Sequence, residues 1–296
     1  MLHSLPVIVL FPVHLILQLC NMALWATAII CLGVIKLILP IAPLTDTFNH
    51  CLNRMLSAFG IISVWLITLS NKVELDYQID GQLSKHNWYL MIPNHLSWLD
   101  IAILTDFAAG RIPAPKFFLK RELIWVPFIG LGAWALDMPF MQRHSRELVQ
   151  RHPHLQDQDI NTTRKFCEKF RQQPTTVINF VEGSRFTTEK HRHKNSPFRH
   201  LLPPKAGGIA FTLAAMGELF TNVLDVTIVY PDNSHWPMLD MLCGRLNRVV
   251  IRVKVLPVDE QIIGDYFNDE AFKHRFQAWL NMLWQDKDEL IAKVGK

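Results

Sequence analysis

A histidine and an aspartate lie five residues apart in the segment Asn94-His95-Leu96-Ser97-Trp98-Leu99-Asp100. A carboxylate that holds a histidine can fix the tautomer of the imidazole and stabilise its protonated form, which is the arrangement of a general base. Five residues on a regular helix turn through about 140°, so the pair meets only if His95 lies in a turn before the helix. The structural alternative is that Asp100 merely caps a helix that begins near Ser97, with His95 as a surface residue.

A second polar cluster, Glu182-Gly183-Ser184-Arg185, follows an apolar run. Glycine lets the backbone approach a ligand closely, backbone amides can surround an anion, and arginine can bind a phosphate through two hydrogen bonds. The cluster therefore indicates a phosphate-binding turn. An ordinary turn with a surface ion pair between Glu182 and Arg185 would have the same sequence.

Two longer stretches contain further cationic residues that are candidates for binding an anion. An apolar, tryptophan-bearing stretch begins at Lys120 and ends at the lone Arg143, and by itself it is equally typical of core followed by a surface arginine. A basic and histidine-rich stretch runs from Lys190 to Lys205. It is either a solvated loop or a cationic rim that faces lipid headgroups or a substrate phosphate.

Alternating strand and helix patterns predict the elements that position these residues. Helical patterns occur over 97–109 and 164–172, between short apolar or β-branched runs that are typical of buried strands. This alternation predicts one α/β domain with a central, mostly parallel sheet flanked by helices, in which chemistry collects at the carboxyl ends of the strands. The predicted strands are 88–92, 175–181, 222–230 and 248–258.

The charged residues are unevenly distributed. Residues 1–70 contain only three of them, Lys36, Asp46 and Arg54, and none occurs from Leu2 to Ile35. A helix of about 20 apolar residues spans a bilayer, so this run predicts one tilted transmembrane helix or a re-entrant hairpin. It lacks the basic start and the cleavage site of a signal peptide.

We therefore divide the chain into a membrane leader (1–45), an interfacial or domain-packed helix (46–70) and a globular domain (71–296). Pro40 and Pro43 are expected to end the first helix. Lys36 and Arg54 follow the leader, and positive residues favour the cytoplasmic side. The sequence thus predicts an integral membrane protein whose domain lies on the cytoplasmic face of a bacterial inner membrane or of the endoplasmic reticulum.

Composition excludes several classes of protein. The body is too apolar for intrinsic disorder, and a net charge of +4 is too weak to indicate nucleic-acid binding. The five cysteines are scattered without a C-x-x-C pair, which argues against a disulfide framework and for a reducing compartment. The 13 histidines form no metal-ligand motif, so no metal is expected.

Taken together and in this order, the motifs resemble those of the glycerolipid acyltransferase family, the 1-acylglycerol-3-phosphate (lysophosphatidate) acyltransferases and their relatives. The N-H-x4-D block of that family is similar to Asn94–Asp100, and its E-G-[TS]-R block is similar to Glu182–Arg185. Its second block, which ends in arginine, looks like the stretch that closes at Arg143, although Gln142 stands where an acidic residue is usual. Its last block, a strand that closes on proline, is similar to Val226–Pro231. The resemblance covers about residues 70–235.

The resemblance implies an O-acyltransferase that moves a fatty acyl chain from a thioester to the free hydroxyl of lysophosphatidic acid, giving phosphatidic acid. It implies His95 as general base and Asp100 as the residue that orients it. It further implies no cofactor, acyl-coenzyme A or an acyl carrier protein as co-substrate, and membrane lipids as partners. The residues expected to bind the acceptor are Arg143 and Arg185 on the phosphate, Gly183 and Ser184 shaping the turn, Lys205 assisting, and Glu182 anchoring Arg185 or the acceptor's glycerol.

Two alternatives remain open at the level of sequence. One is an acyltransferase or transacylase that acts on another lysophospholipid. The other is a membrane-anchored lipid-binding protein without activity, against which the intact His95 and Asp100 pair argues. The segment 269–294 has apolar residues at helical spacing, which is more typical of packing than of catalysis.

Overall fold

Two long helices form the N-terminal part of the chain. In the computed structural model, which describes residues 2–138, 140–141, 161, 164 and 168–295, helix α1 spans Val7–Ile38 and helix α2 spans Ala42–Ser70. Helix α1 ends before Pro40, as predicted. Pro43 instead lies in the first turn of α2, where the missing N–H of proline costs no hydrogen bond. The second helix therefore begins four residues before the predicted position 46, and both helices are long and apolar enough to cross a membrane.

The two helices pack on each other and on the rest of the chain through a buried apolar cluster and several polar contacts. The Asn21 side chain donates to the Ser63 hydroxyl over 2.9 Å, which joins α1 to α2. The Lys36 ammonium pairs with the Asp137 carboxylate at 2.5 Å, and Lys116 donates to the Asn53 side chain at 2.8 Å. The outer face of α1 stays exposed and apolar.

A sheet forms the centre of the domain, and the part of the chain that the structure describes gives it six strands. They are β1 (Glu74–Asp80), β2 (Tyr89–Pro93), β3 (Pro115–Phe117), β6 (Thr176–Ile178), β7 (Asn222–Val229) and β8 (Arg248–Pro257). Their order is β1-β8-β7-β2-β6-β3, and all neighbours are parallel except β7 and β8, which are antiparallel. Strand β2 is buried along its whole length, and its parallel neighbours β7 and β6 end at the same edge as β2.

Helices cover both faces of the sheet and bury its apolar side chains. The α-helices and short strands that the structure describes beside α1, α2 and the sheet are α3 (Leu99–Ala108), a small pair β4 (Leu119–Lys120) and β5 (Phe140–Met141), α4 (Ile129–Ala135), α5 (Thr188–His193), α6 (Ala206–Met216), α7 (Pro237–Leu242) and α8 (Glu270–Val294). Helices α6 and α8 pack on one face of the sheet, around Ile209 and Phe276. Helices α2, α3 and α7 pack on the other face, around Ile67, Phe107 and Met241.

The fold class predicted from the sequence is confirmed. Each of the four predicted strands is present, although the second ends at Ile178 instead of 181 because the chain turns towards the glycine of the next motif. The sequence patterns do not predict strands β1, β3, β4 and β5. Of the predicted helix over 164–172, the structure describes a 3-10 helix at Glu168–Arg171, and residues 165–167 lie outside the described residues.

Candidate active site

The segment that follows β2 brings His95 and Asp100 together. The chain leaves the strand at Pro93, and Asn94 exchanges two hydrogen bonds with the backbone of Ile228 on β7, at 2.8 and 2.9 Å. Helix α3 begins at Leu99, so His95 lies in the preceding turn and Asp100 in the first helical turn. Their side chains meet, with 2.8 Å between Nδ1 of His95 and Oδ2 of Asp100. This is the geometry that the five-residue spacing requires.

Asp100 also holds the backbone of the turn that precedes α3. Its Oδ2 accepts the backbone N–H of Leu96 at 2.8 Å and of Ser97 at 2.9 Å. Its Oδ1 accepts the hydroxyl of Tyr230, at the end of β7, over 2.7 Å. The carboxyl group is fully buried. Four donors therefore fix the orientation of the group that holds His95.

The imidazole of His95 is oriented with one nitrogen available. A carboxylate only accepts hydrogen bonds, so Nδ1 carries the proton and Nε2 has a free lone pair. Within the part of the chain that the structure describes, Nε2 makes no hydrogen bond. The ring stacks on Phe180 with 4.0 Å between centroids, and the side chain retains an exposed fraction of 12%. These features fit a general base that a substrate can reach.

The turn that follows β6 lies beside the His95 turn. Gly183 has a φ of +69°, which favours glycine, and a Cβ there would lie 3.2 Å from Cδ of Lys205. The Arg185 guanidinium lies over the Trp98 ring, 4.5 Å from its centroid. The turn thus carries Arg185 and the partly exposed Ser184, and Lys205, just before α6, lies against Gly183.

Glu182 does not play the part expected of it. Its side chain is fully buried, and its two oxygens accept the backbone N–H groups of His95 at 3.3 Å and of Leu202 at 3.2 Å. No ion pair joins it to Arg185, and a buried carboxyl cannot reach the glycerol of an acceptor. Burial raises the pKa of Glu182 to about 8, although the two backbone hydrogen bonds and Lys287 act in the opposite direction. Glu182 joins the two turns to each other.

Sequence reasoning missed three side chains of this site, namely Phe180, Trp98 and the hydroxyl of Tyr230. Tyr230 was placed in a motif, but only the order of the strands shows that β7 lies beside β2 and brings the phenol to Asp100. Arg143 lies outside the described residues, and so does Gln142. Among the described residues, no group of three or more His, Cys, Asp or Glu side chains could hold a metal ion.

The protein families and curated proteins that this chain is similar to are acyltransferases. The sequence pattern of the Acyltransferase family matches residues 75–231, which include both turns. Human 1-acyl-sn-glycerol-3-phosphate acyltransferase delta is 28% identical over 189 residues, which are 60% of this chain and 45% of that protein. The gamma protein of mouse is 25% identical over 191 residues, or 61% of this chain and 46% of that protein. The chain spans about half the length of the curated relatives it matches.

A solved structure shows the same fold. The crystal structure of the 1-acyl-sn-glycerophosphate (LPA) acyltransferase PlsC from Thermotoga maritima matches with a TM-score of 0.53 at 17% identity, over 94% of this chain and 95% of that one. The match extends across the helical hairpin and the sheet. With the family pattern covering more than half of the residues, the chain belongs to the acyltransferase family.

Proposed function

We propose that this protein transfers a fatty acyl chain from a thioester to the free hydroxyl of lysophosphatidic acid, giving phosphatidic acid. The observation that carries the proposal is the His95 and Asp100 pair, with Nε2 unengaged beside the cationic turn at Arg185. The relatives named 1-acyl-sn-glycerol-3-phosphate acyltransferase support the choice of acceptor.

In this reaction His95 acts as the general base. Nε2 removes the proton of the acceptor hydroxyl while the oxygen attacks the thioester carbonyl. The tetrahedral intermediate then expels the thiolate, which receives the proton from the imidazolium. Asp100 stabilises that imidazolium and holds Nδ1 protonated, so that Nε2 is the nitrogen that accepts.

The turn at Gly183 provides the acceptor-binding side of the site. A lysophosphatidate phosphate is a dianion near neutral pH, and Arg185 can bind it through two parallel hydrogen bonds. The stacking of Arg185 on Trp98 limits the positions of the guanidinium before the acceptor arrives. Lys205 adds a second cation from across Gly183, and Ser184 shapes the turn between them. Arg143 remains a predicted phosphate ligand.

The N-terminal helices suit a site that takes its substrates from a bilayer. The outer face of α1 exposes large apolar side chains, including Ile8 at 85%, Leu24 at 65% and Ile38 at 68%. Such a surface is stable in lipid and costly in water. We therefore propose that the hairpin anchors the protein in the membrane. Lys36, in the last turn of α1, pairs with Asp137 of the domain, and positive residues favour the cytoplasmic side, which supports a cytoplasmic catalytic domain.

A substrate panel with the purified, detergent-solubilised protein tests this function. The acceptors are lysophosphatidate, lysophosphatidylcholine and lysophosphatidylglycerol, each offered with radiolabelled acyl-coenzyme A and with the radiolabelled acyl thioester of acyl carrier protein. We expect labelled phosphatidic acid to be the main product and transfer to be lost in His95→Ala. Preferential acylation of a different lysophospholipid would replace the proposed acceptor, and absence of transfer to every acceptor would overturn the enzymatic function.

A further inference from the structure

The C-terminal helix α8 is fixed to the sheet by a fully buried charged residue. Lys287 is 1% exposed, pairs with the carboxylate of Asp225 on β7, and donates to the carbonyl oxygen of Val226 over 2.6 Å. Its ammonium also lies 5.2 Å from the centroid of the Trp284 ring. Moving this helix would leave two buried charges without a partner, which is costly. The helix is therefore held firmly against β7, the strand that ends just before Tyr230.

The next residue of the helix holds the loop that leads towards the active site. Both oxygens of Asp288 accept backbone N–H groups, from Arg199 at 2.8 Å and from His200 at 2.6 Å. Asp288 is 8% exposed, so water competes little for these hydrogen bonds. Two residues farther along the loop, the N–H of Leu202 donates to the carboxyl group of Glu182.

These contacts form a continuous path from the C-terminal helix to the base. Asp288 holds the segment Arg199–Leu202, Leu202 holds one oxygen of Glu182, and the other oxygen accepts the backbone N–H of His95. We propose that Asp288 is a positioning residue, which acts through Arg199–Leu202 and Glu182 to hold His95 where it removes the acceptor proton. This inference rests on the proposed function and adds to it a residue that touches no substrate.

A pair of variants on the same helix tests the proposal. Asp288→Asn keeps the size of the side chain but leaves only one oxygen for two N–H groups. The matched control is Asp286→Asn, which removes only an exposed ion pair with Lys254 at 3.6 Å. We expect kcat to fall by about tenfold to a hundredfold in Asp288→Asn, which is the effect of a small displacement of a catalytic group. The KM of the acceptor should change much less, and the control should behave as wild type.

Hydrogen exchange provides a readout that is independent of turnover. In Asp288→Asn the amides of Leu202 and His95, which Asp288 does not touch, should exchange at least several-fold faster, while the amides of β7 and β8 keep their protection. Wild-type kcat in a folded Asp288→Asn, unchanged exchange at Leu202 and His95, or uniformly faster exchange across the sheet would each overturn the proposal. If the wild type transfers no acyl chain, the proposed function fails, and the exchange data still decide whether Asp288 positions the two turns.

Discussion

The turn after β2 and the turn after β6 each contain one buried carboxyl group, but the two groups hold different things. Asp100 accepts hydrogen bonds from the imidazole of His95, from the phenol of Tyr230 and from two backbone N–H groups. Glu182 accepts two backbone N–H groups, one from His95 and one from Leu202. Burial raises the pKa of Glu182 to about 8. One carboxyl group thus orients the side chain that we propose as the base, while the other joins the His95 turn to the turn that carries Arg185.

Removing the base should have the largest effect. In His95→Ala no group remains to take the hydroxyl proton, and we expect turnover to fall by about 10²- to 10⁴-fold, the usual contribution of a general base. The measurement is the initial rate of transfer from radiolabelled acyl-coenzyme A to lysophosphatidate. His86→Ala, at an exposed histidine before β2, is the matched control. Wild-type turnover in His95→Ala would contradict the mechanism.

Neutralising the carboxyl group of Asp100 should have the second largest effect on turnover. Asp100→Asn keeps the shape of the side chain but turns an amide N–H₂ or a neutral oxygen towards His95, so the imidazolium loses its counter-charge. We expect kcat to fall by about 10²-fold with the acceptor KM nearly unchanged. Asp106→Asn, on the same helix and hydrogen-bonded to Tyr77, is the control and should leave kcat within about twofold. Equal losses in both variants would show a general effect on α3 instead of a catalytic one.

Removing the cation of the second turn should mainly change acceptor binding. In Arg185→Ala a charge-assisted contact of about 1.5–3 kcal/mol is lost, so the KM for lysophosphatidate should rise by about tenfold to a hundredfold. The KM for the thioester should stay near its wild-type value. Arg192→Ala, at an exposed arginine on α5, is the control. An unchanged acceptor KM in Arg185→Ala would remove this residue from the phosphate site.

A different kind of effect should come from Glu182 and should appear as a pH dependence of stability. Because the folded protein raises the pKa of Glu182 from 4.5 to about 8, the folded state binds a proton more tightly than the unfolded state. The stability from this group is present below about pH 4.5 and is lost as the pH rises towards 8, with a slope of at most about 1.4 kcal/mol per pH unit.

The test compares wild type with Glu182→Gln, whose side chain cannot ionise. The melting temperature of the wild type in detergent should fall more between pH 5 and pH 8 than that of the variant. Glu218→Gln, at an exposed carboxylate after α6, should follow the wild type. Parallel melting curves for all three proteins would mean that Glu182 does not titrate in this range.

The sequence predicts those parts of the site that depend on local spacing. The meeting of His95 with Asp100 follows from a turn that precedes a helix, and the turn at Gly183 follows from glycine after a strand. The contact between Tyr230 and Asp100 joins residues 130 positions apart. It depends on β7 lying beside β2, and a single sequence does not encode strand order in any local pattern. The expected pair of Glu182 and Arg185 fails for a similar reason, since burial of Glu182 is set by the loop at Leu202.

The strands and the buried lysine that the sequence does not predict lie in short or polar segments. Strand β1, Glu74–Asp80, lies at the edge of the sheet, and its mixture of polar and half-exposed residues gives no apolar run. Strand β3 has only three residues. Lys287 lies in a charged stretch of α8 that looks solvent-facing, yet it is among the most buried side chains. Its burial is visible only once Asp225 is placed opposite it.

The pairing of β1 with β8 has a consequence for how the protein is made. Within the sheet, β1 pairs with β8 alone, and its partners are about 174 residues later in the chain, as for Glu74 and Arg248. A ribosome adds roughly 5–20 residues per second, so β1 waits on the order of ten seconds or more for its partner. During that interval the helical hairpin has already been synthesised. Given the membrane anchoring that we propose for the hairpin, we expect it to enter the bilayer before the sheet closes, so that the nascent domain completes its fold while tethered beside the membrane.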